Sequence, residues 1–279
     1  MSQPNAEQSE YWNSTAGRTW AESSEPLDRQ LAPLGRAAMA ALRANSGERL
    51  LDVGCGAGQT SCDLARAVAP GDLEQRDRQI DAHDHAARRR AAGLTSVRFL
   101  QGDAQHFPFA PGTFDAAYSR FGVMFFADPV AAFANLRRAL KPGGRLAFAC
   151  WRPMEESPAF TVPLHAAVPH LPPLPPARDP DAPGPFAFAS QERVRRILAA
   201  AGFDAIRIAP HDEAVGVGDL ETAVALALRM GPLGRLLVDH PSLREGVAPP
   251  VRAAMAAYAG PDGVRLDAAI WIVTARSAT

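Results

Sequence analysis

Short apolar runs alternate with helical patterns of apolar residues through most of the chain. Runs with the length of a strand lie at 48–53, 96–103, 114–119, 145–151, 204–209 and 268–275. A helical pattern follows the first run at 60–69, and others lie between the later runs. Such alternation predicts an α/β fold whose parallel sheet is covered by helices on both faces.

Two residues have the side chain expected at the start of a helix. Asp128 precedes Pro129, and proline suits the first helical position because its fixed φ is helical and its missing N–H is not needed there. Ser190 precedes a second apolar stripe, which Gly202 ends. We therefore predict helices after both residues.

Two stretches interrupt this rhythm. Residues 153–185 hold 11 of the 25 prolines, which predicts a stiff, extended loop. Residues 213–262 carry helical patterns inserted between the last two strands. Both stretches are interpreted either as surface decoration or as a lid over the carboxyl ends of the strands, where doubly wound sheets bind ligands.

Composition and charge narrow the class of protein. The 279 residues suit one large domain with insertions, and 47% hydrophobic residues can form a real core. A net charge of −1 argues against a nucleic-acid partner or an anionic membrane. Three cysteines without metal-ligand spacing suit a reducing compartment, and no signal peptide or membrane span is evident. We expect a cytoplasmic protein, and a homodimer stays open.

The stretch "LLDVGCGAGQ" places Gly54, Gly56 and Gly58 directly after an apolar run. No lysine follows as in a phosphate-binding P-loop, and the third glycine of a dinucleotide loop is replaced by Gln59. Asp52 puts a carboxylate beside the loop, where it would repel phosphate and attract an ammonium group. Together these features favour S-adenosylmethionine over NAD as the ligand.

In "LDVGCGAG", "VRFLQGDA", "FDAAYSRF" and "LKPGGRLAFACW", in this order, the chain resembles class I S-adenosylmethionine-dependent methyltransferases of the small-molecule type (methyltransferase type 11/25-like). The resemblance runs along residues 10 to 275. It implies a Rossmann-like, mostly parallel, seven-stranded sheet with an N-terminal helical cap (1–46) and a methyltransferase domain (47–279) with lid insertions at about 153–185 and 213–262.

The resemblance also implies a set of cofactor contacts. Asp103 would face the adenine beside the backbone of Ala104, and Ser119 would close the methionine side. The predicted cofactor-binding residues are Asp52, Gly54, Cys55, Gly56, Asp77, Asp103, Ala104 and Ser119.

The resemblance fails between residues 71 and 90, where the family has an apolar second strand that ends in a ribose-binding acid. Residues 72–90 carry ten charged side chains, which predicts a distorted or poorly ordered strand. Spacing favours Asp77 as the ribose acid, whereas local context favours Asp81. The nearby His83-Asp84-His85 is interpreted as solvated, so no metal site is predicted.

The acceptor side is less defined. We predict methyl transfer to a small molecule by in-line displacement, with His106, His165 and His170 as unranked candidate bases. Arg120 could hold an acidic group of the substrate or form a salt bridge at the strand end. Tyr11 and Trp20 could form part of the substrate wall or pack the N-terminal segment onto the domain. The alternatives are a binding-only relative and a nicotinamide-dependent reductase.

Overall fold

A computed structural model describes residues 22–56, 58–77, 97–173, 179–216 and 218–278. Several predicted residues lie outside these ranges: Tyr11, Trp20, Asp81 and His83 to His85. For Asp77 only the backbone is described.

The described residues form one mixed sheet. Its strands are β1 (Leu50–Val53), β2 (Leu73–Asp77), β3 (Val97–Gln101), β4 (Phe114–Arg120), β5 (Leu140–Trp151), β6 (Phe203–Gly216) and β8 (Gly263–Ser277). Their order is β3-β2-β1-β4-β5-β8-β6, and the short β7 (Ala259–Gly260) pairs with β8 alone. The first five strands are parallel, whereas β8 runs antiparallel to both β5 and β6. The predicted mostly parallel, seven-stranded sheet is confirmed.

The described residues also form eight α-helices. They are α1 (Ser24–Leu42), α2 (Gln59–Val68), α3 (Pro129–Ala139), α4 (Pro158–Ala167), α5 (Gln191–Ala200), α6 (Leu220–Arg229), α7 (Gly231–Asp239) and α8 (Arg244–Ala256). The two predicted caps are confirmed. Asp128 Oδ1 accepts a hydrogen bond from Ala131 N at 2.9 Å, and Ser190 Oγ accepts one from Arg193 N at 3.3 Å.

The prediction of an extended loop over residues 153–185 is wrong where α4 forms. Pro158 occupies the first turn of α4, where the missing N–H is not needed, so a proline-rich segment can still begin a helix. Ser157 is fully buried, and its Oγ accepts a hydrogen bond from Ala269 N on β8 at 3.0 Å. Leu164 and Ala167 are also buried, and these contacts hold α4 against the sheet.

Helical structure within 213–262 is confirmed by α6, α7 and α8. Together with α4 these helices form a second apolar cluster, distinct from the cluster around the sheet. Leu27 of α1 belongs to the second cluster, whereas Leu34, Ala38 and Leu42 of α1 belong to the first. Helix α1 therefore joins both cores, and the division into a cap (1–46) and a domain (47–279) stays a prediction.

The prediction of a distorted second strand is wrong for Leu73–Asp77. β2 pairs with both neighbours in an unbroken parallel register, from Leu50↔Leu73 on β1 and from Leu73↔Val97 on β3. The backbone ladders on both sides satisfy the strand even though its sequence is rich in charge. In the part of the chain described, no helix has the length and apolar character needed to cross a membrane.

Candidate functional site

The glycine loop lies at the carboxyl end of β1 and leads into α2. Gly54, Gly56 and Gly58 have φ values of 72°, 53° and 84°, a left-handed backbone that favours glycine. Gly58 N donates a hydrogen bond to Cys55 O at 3.0 Å, which closes the turn. The predicted loop is therefore present as a tight strand-to-helix turn.

Gly54 touches the loop that follows the neighbouring strand β4. A Cβ atom added to Gly54 would lie 2.7 Å from Gly122 Cα, and one added to Gly122 would lie 2.7 Å from Val53 O. Ser119 is fully buried, and its Oγ accepts a hydrogen bond from Gly122 N at 3.1 Å. Ser119 thus fixes the loop that leans on the glycine turn.

Asp52 lies beneath this turn. Its carboxylate is fully buried and accepts hydrogen bonds from the hydroxyls of Thr60, at 3.1 Å, and Ser61. Both hydroxyls belong to the first turn of α2, so Asp52 ties the end of β1 to the start of that helix. Its attraction for an ammonium group stays a prediction.

The segment after β3 is built around Asp103. Asp103 Oδ1 accepts a hydrogen bond from Gln105 N at 3.0 Å, and Asp103 O accepts one from Phe107 N at 2.8 Å. Ala104 is buried, and its carbonyl oxygen accepts a hydrogen bond from Asn135 Nδ2 on α3 at 2.9 Å. The turn is therefore held rigidly at the carboxyl edge of the sheet.

Asp77 is the last residue of β2 and stands opposite Gln101 in the register with β3. β2 also neighbours β1, so the backbone of Asp77 lies at the same sheet edge as the glycine turn. The carboxyl ends of adjacent parallel strands share one edge. Three predicted cofactor segments therefore lie at this edge: the glycine turn after β1, Asp77 at the end of β2 and the turn of Asp103 after β3.

Arg120 forms the salt bridge that was one of its two interpretations. Its guanidinium donates to Asp28 Oδ1 of α1 at 2.8 Å and to Gln59 Oε1 of α2 at 2.9 Å. The side chains of Arg120 and Asp28 are only 7% and 13% exposed. Contact of Arg120 with an acidic substrate stays a prediction.

The three candidate bases belong to different elements. His106 is exposed beside Gln105, whereas His165 and His170 are exposed on α4 and on the short turn that follows it. No group of three or more His, Cys, Asp or Glu side chains in the described ranges could hold a metal ion.

An aromatic stack next to the β4 loop was missed by the sequence analysis. Phe121 stacks on Trp151 with ring centroids 4.3 Å apart, and Trp151 meets Phe160 edge-on at 4.7 Å. Phe160 in turn meets Phe186 at 5.6 Å. Phe121 has a φ of 60°, which is unusual for a bulky residue. Their only sequence signal is that Phe121 and Trp151 come at the ends of predicted strands.

Comparison with known proteins identifies the central part of the chain. The profile of the family described as "Methyltransferase domain" matches residues 51–148. A demethylmenaquinone methyltransferase of Beutenbergia cavernae is 37% identical over 125 residues, which are 43% of this chain and 50% of that protein. The O-methyltransferase rstn1 of Aspergillus nomiae is 33% identical over 112 residues, 37% of this chain and 46% of that protein. The chain spans about half or less of the length of these curated relatives.

Solved structures share the fold. A putative methyltransferase of Bacillus halodurans has a TM-score of 0.56 at 18% identity, covering 88% of this chain and 99% of that one. Phosphoethanolamine N-methyltransferase 2 of Haemonchus contortus, in complex with S-adenosyl-L-methionine, has a TM-score of 0.53 at 17% identity, covering 88% and 53%. Residues 51–148 are therefore similar to the methyltransferase domain family, and the chain shares the Rossmann-like fold of these methyltransferase structures.

Proposed function

We propose that this protein transfers the methyl group of S-adenosylmethionine to a small-molecule acceptor. The observation that carries the proposal is the contact between Gly54 and Gly122, where the turns after β1 and β4 meet without side chains. Backbone without Cβ atoms at the carboxyl edge of a doubly wound sheet suits a ligand that lies close to the main chain.

The residues present fit this cofactor. Gly54, Cys55 and Gly56 would lie along its amino-acid chain, with Ser119 on the methionine side. Asp77 would bind the ribose hydroxyls, and the turn of Asp103 and Ala104 would lie beside the adenine. The three left-handed glycines make a cradle that a Cβ atom at Gly54 would obstruct. When bound, the cofactor supplies an activated sulfonium methyl group.

The protein's contribution is then to align the acceptor and exclude water. Orientation of this kind can supply about 7–11 kcal/mol of the barrier. Arg120 ties α1 to the end of β4 through Asp28. The helices α4 and α6 to α8, which share their own apolar cluster, would act as the lid over the acceptor. The N-terminal Tyr11 and Trp20 would complete the wall of this site.

The aromatic stack of Phe121, Trp151, Phe160 and Phe186 supports an acceptor with an apolar or aromatic ring. Such rings pack on one another with centroids about 4.5–7 Å apart, and these residues contact one another with centroids 4.3 to 5.6 Å apart. A general base is required only if the accepting atom carries a proton that must leave, and none is assigned.

The proposal includes a cytoplasmic location. Cys55, Cys62 and Cys150 are all buried, and no disulfide joins them, which suits a reducing compartment. A homodimer is one expected oligomeric state, and the molecular mass of the protein in solution tests it.

Titration of the purified chain with S-adenosylmethionine and with NADH tests the cofactor. We expect a heat of binding with S-adenosylmethionine and none with NADH. Gly56→Val should lose the heat of S-adenosylmethionine binding, because a branched side chain does not suit the left-handed backbone of this position. Preference for NADH would favour the reductase. A screen of acceptors for S-adenosylhomocysteine release then separates an enzyme from a binding-only relative.

A further inference from the structure

A concave region lies at the opposite end of the sheet from the proposed cofactor site. Its volume is about 420 Å³. It is enclosed by the last residues of α1, the beginning of β5, the beginning of β6 and the end of β8. Four arginines line it: Arg43, Arg145, Arg207 and Arg276.

The sheet register brings three of these arginines together on one face. Arg145 on β5 stands directly opposite Arg276 on β8, and like charges in this position destabilise a sheet. Arg207 on β6 stands opposite Thr274, which is two residues from Arg276 and therefore on the same face. Arg43 joins them from the end of α1, which packs on this part of the sheet.

Only part of this positive charge is balanced by the protein. Arg145 pairs with Glu48 and donates to Leu42 O, and Arg276 donates to Gly143 O at 3.3 Å. In the described part of the chain, the side chains of Arg43 and Arg207 have no hydrogen-bond or ion-pair partner.

Two features on this side of the sheet carry negative character. Asp204 stands opposite Arg276 in the register, but it makes no ion pair with any described residue. The carbonyl end of α1 also points here, and its Leu42 oxygen is already used by Arg145. Four guanidinium groups therefore line one concavity, and two carboxylates on this side of the sheet are Glu48, which pairs with Arg145, and Asp204, which pairs with none of the four.

We propose that this cavity binds a soluble small molecule that carries two or more phosphate groups. Guanidinium groups match phosphate oxygens in a bidentate fork, and several converging forks select a multiply charged anion. The volume falls within the range of small-molecule pockets, and the Thr274 hydroxyl is a further donor. An anion here also relieves the repulsion between Arg145 and Arg276.

A soluble ligand is favoured over a phospholipid headgroup because the arginines converge into a cavity and the net charge of the chain is −1. Attraction to an anionic bilayer needs an extended basic surface instead. The site does not depend on the proposed methyl transfer, since it lies at the amino ends of β5 and β6 rather than at the glycine turn.

Calorimetric titration of the full chain with inorganic pyrophosphate and with ATP tests the proposal. Arg43→Ala and Arg207→Ala each remove an exposed side chain with no described partner, so the fold should survive, which thermal unfolding checks. We expect each variant to weaken both ligands about tenfold, and the double variant more. Arg196→Ala, an exposed arginine of α5 that does not line the cavity, is the matched control.

Unchanged affinity of Arg196→Ala for pyrophosphate and ATP, together with retained binding of S-adenosylmethionine by Arg207→Ala, supports a separate phosphate site. Absence of binding to pyrophosphate and ATP at millimolar concentration overturns it. Equal weakening by Arg196→Ala overturns it as well, because binding would then follow net charge. Sedimentation with phosphatidylglycerol vesicles without binding of the soluble anions would replace the proposal with a membrane contact.

Discussion

Gly54 and Gly122 touch through their backbones, since a Cβ atom on Gly54 would lie only 2.7 Å from Gly122 Cα. The turns after β1 and β4 therefore form one unit, which Ser119 braces through its hydrogen bond from Gly122 N. A change in either glycine should move both turns, although the two residues are far apart in the sequence.

Three alanine substitutions separate close contact from backbone strain. Gly122→Ala meets Val53 O at 2.7 Å with an ordinary φ of −86°. Gly143→Ala has a φ of 70° but open space around it, and Gly54→Ala combines a φ of 72° with a close contact. We expect losses of unfolding free energy of about 1 kcal/mol for Gly143→Ala and about 2–4 kcal/mol for Gly54→Ala, measured in urea.

Cofactor affinity should follow contact and not strain. Gly54→Ala and Gly122→Ala should both weaken S-adenosylmethionine binding at least tenfold, because the turn must shift, whereas Gly143→Ala should leave it unchanged. Equal affinities in all three variants would remove the argument that these turns form the cofactor site.

Asp52 links the sheet to α2, and its charge can be separated from that role. Asp52→Ala leaves the Thr60 and Ser61 hydroxyls without their acceptor and should cost about 2–4 kcal/mol of stability. Asp52→Asn keeps an oxygen acceptor but loses the charge, so it should be milder. If the carboxylate attracts the ammonium group, Asp52→Asn weakens S-adenosylmethionine while 5′-methylthioadenosine, which lacks that group, binds as before. Equal weakening of both ligands would assign Asp52 to loop support alone.

The buried pair of Arg120 and Asp28 should stabilise the attachment of α1. Removing one partner leaves a charge that is at most 13% exposed, so Arg120→Ala or Asp28→Ala should cost about 3–5 kcal/mol. A double-mutant cycle by urea unfolding should give a coupling energy above about 1 kcal/mol. Additive losses would mean that the pair contributes little, and the exposed pair Arg29–Glu25 on the same helix is the control.

The glycine turn and the helix caps could be predicted because each depends on a few adjacent residues. The left-handed backbone of Gly54, Gly56 and Gly58 belongs to one short turn, and the Asp128 side chain accepts a hydrogen bond from the backbone N–H of Ala131, three residues along the chain. The contact of Gly54 with Gly122 depends instead on strand order, which no local pattern contains. The aromatic stack was missed for the same reason, since Phe121, Trp151 and Phe160 come from three different elements.

The two corrected expectations came from reading composition without position. The number of prolines predicts an extended loop over 153–185, but Pro158 stands in the first turn of α4, where proline is favourable. The charge in 72–90 predicts a distorted or poorly ordered strand, but the backbone of Leu73–Asp77 is paired on both sides. In each case the tertiary partners, Ala269 for the first and β1 with β3 for the second, decided the structure.

Glu48 should make the stability depend on pH in the acid range. Burial raises its pKa, but hydrogen bonds from Arg145 and Asn45 outweigh burial, so the pKa lies below its ordinary value of 4.5. A lowered pKa in the folded state means that the stabilisation is present above about pH 4.5 and is lost as the pH falls through the folded value.

Glu48→Gln should therefore cost about 1–2 kcal/mol at pH 7 and flatten the fall in stability between about pH 5 and pH 3, measured by urea unfolding. Glu155→Gln, at an exposed position, should leave the profile unchanged. If the unfolding free energy falls with pH equally steeply in Glu48→Gln and in the parent, the pair of Glu48 and Arg145 does not stabilise the fold. Another group would then have to balance the repulsion between Arg145 and Arg276.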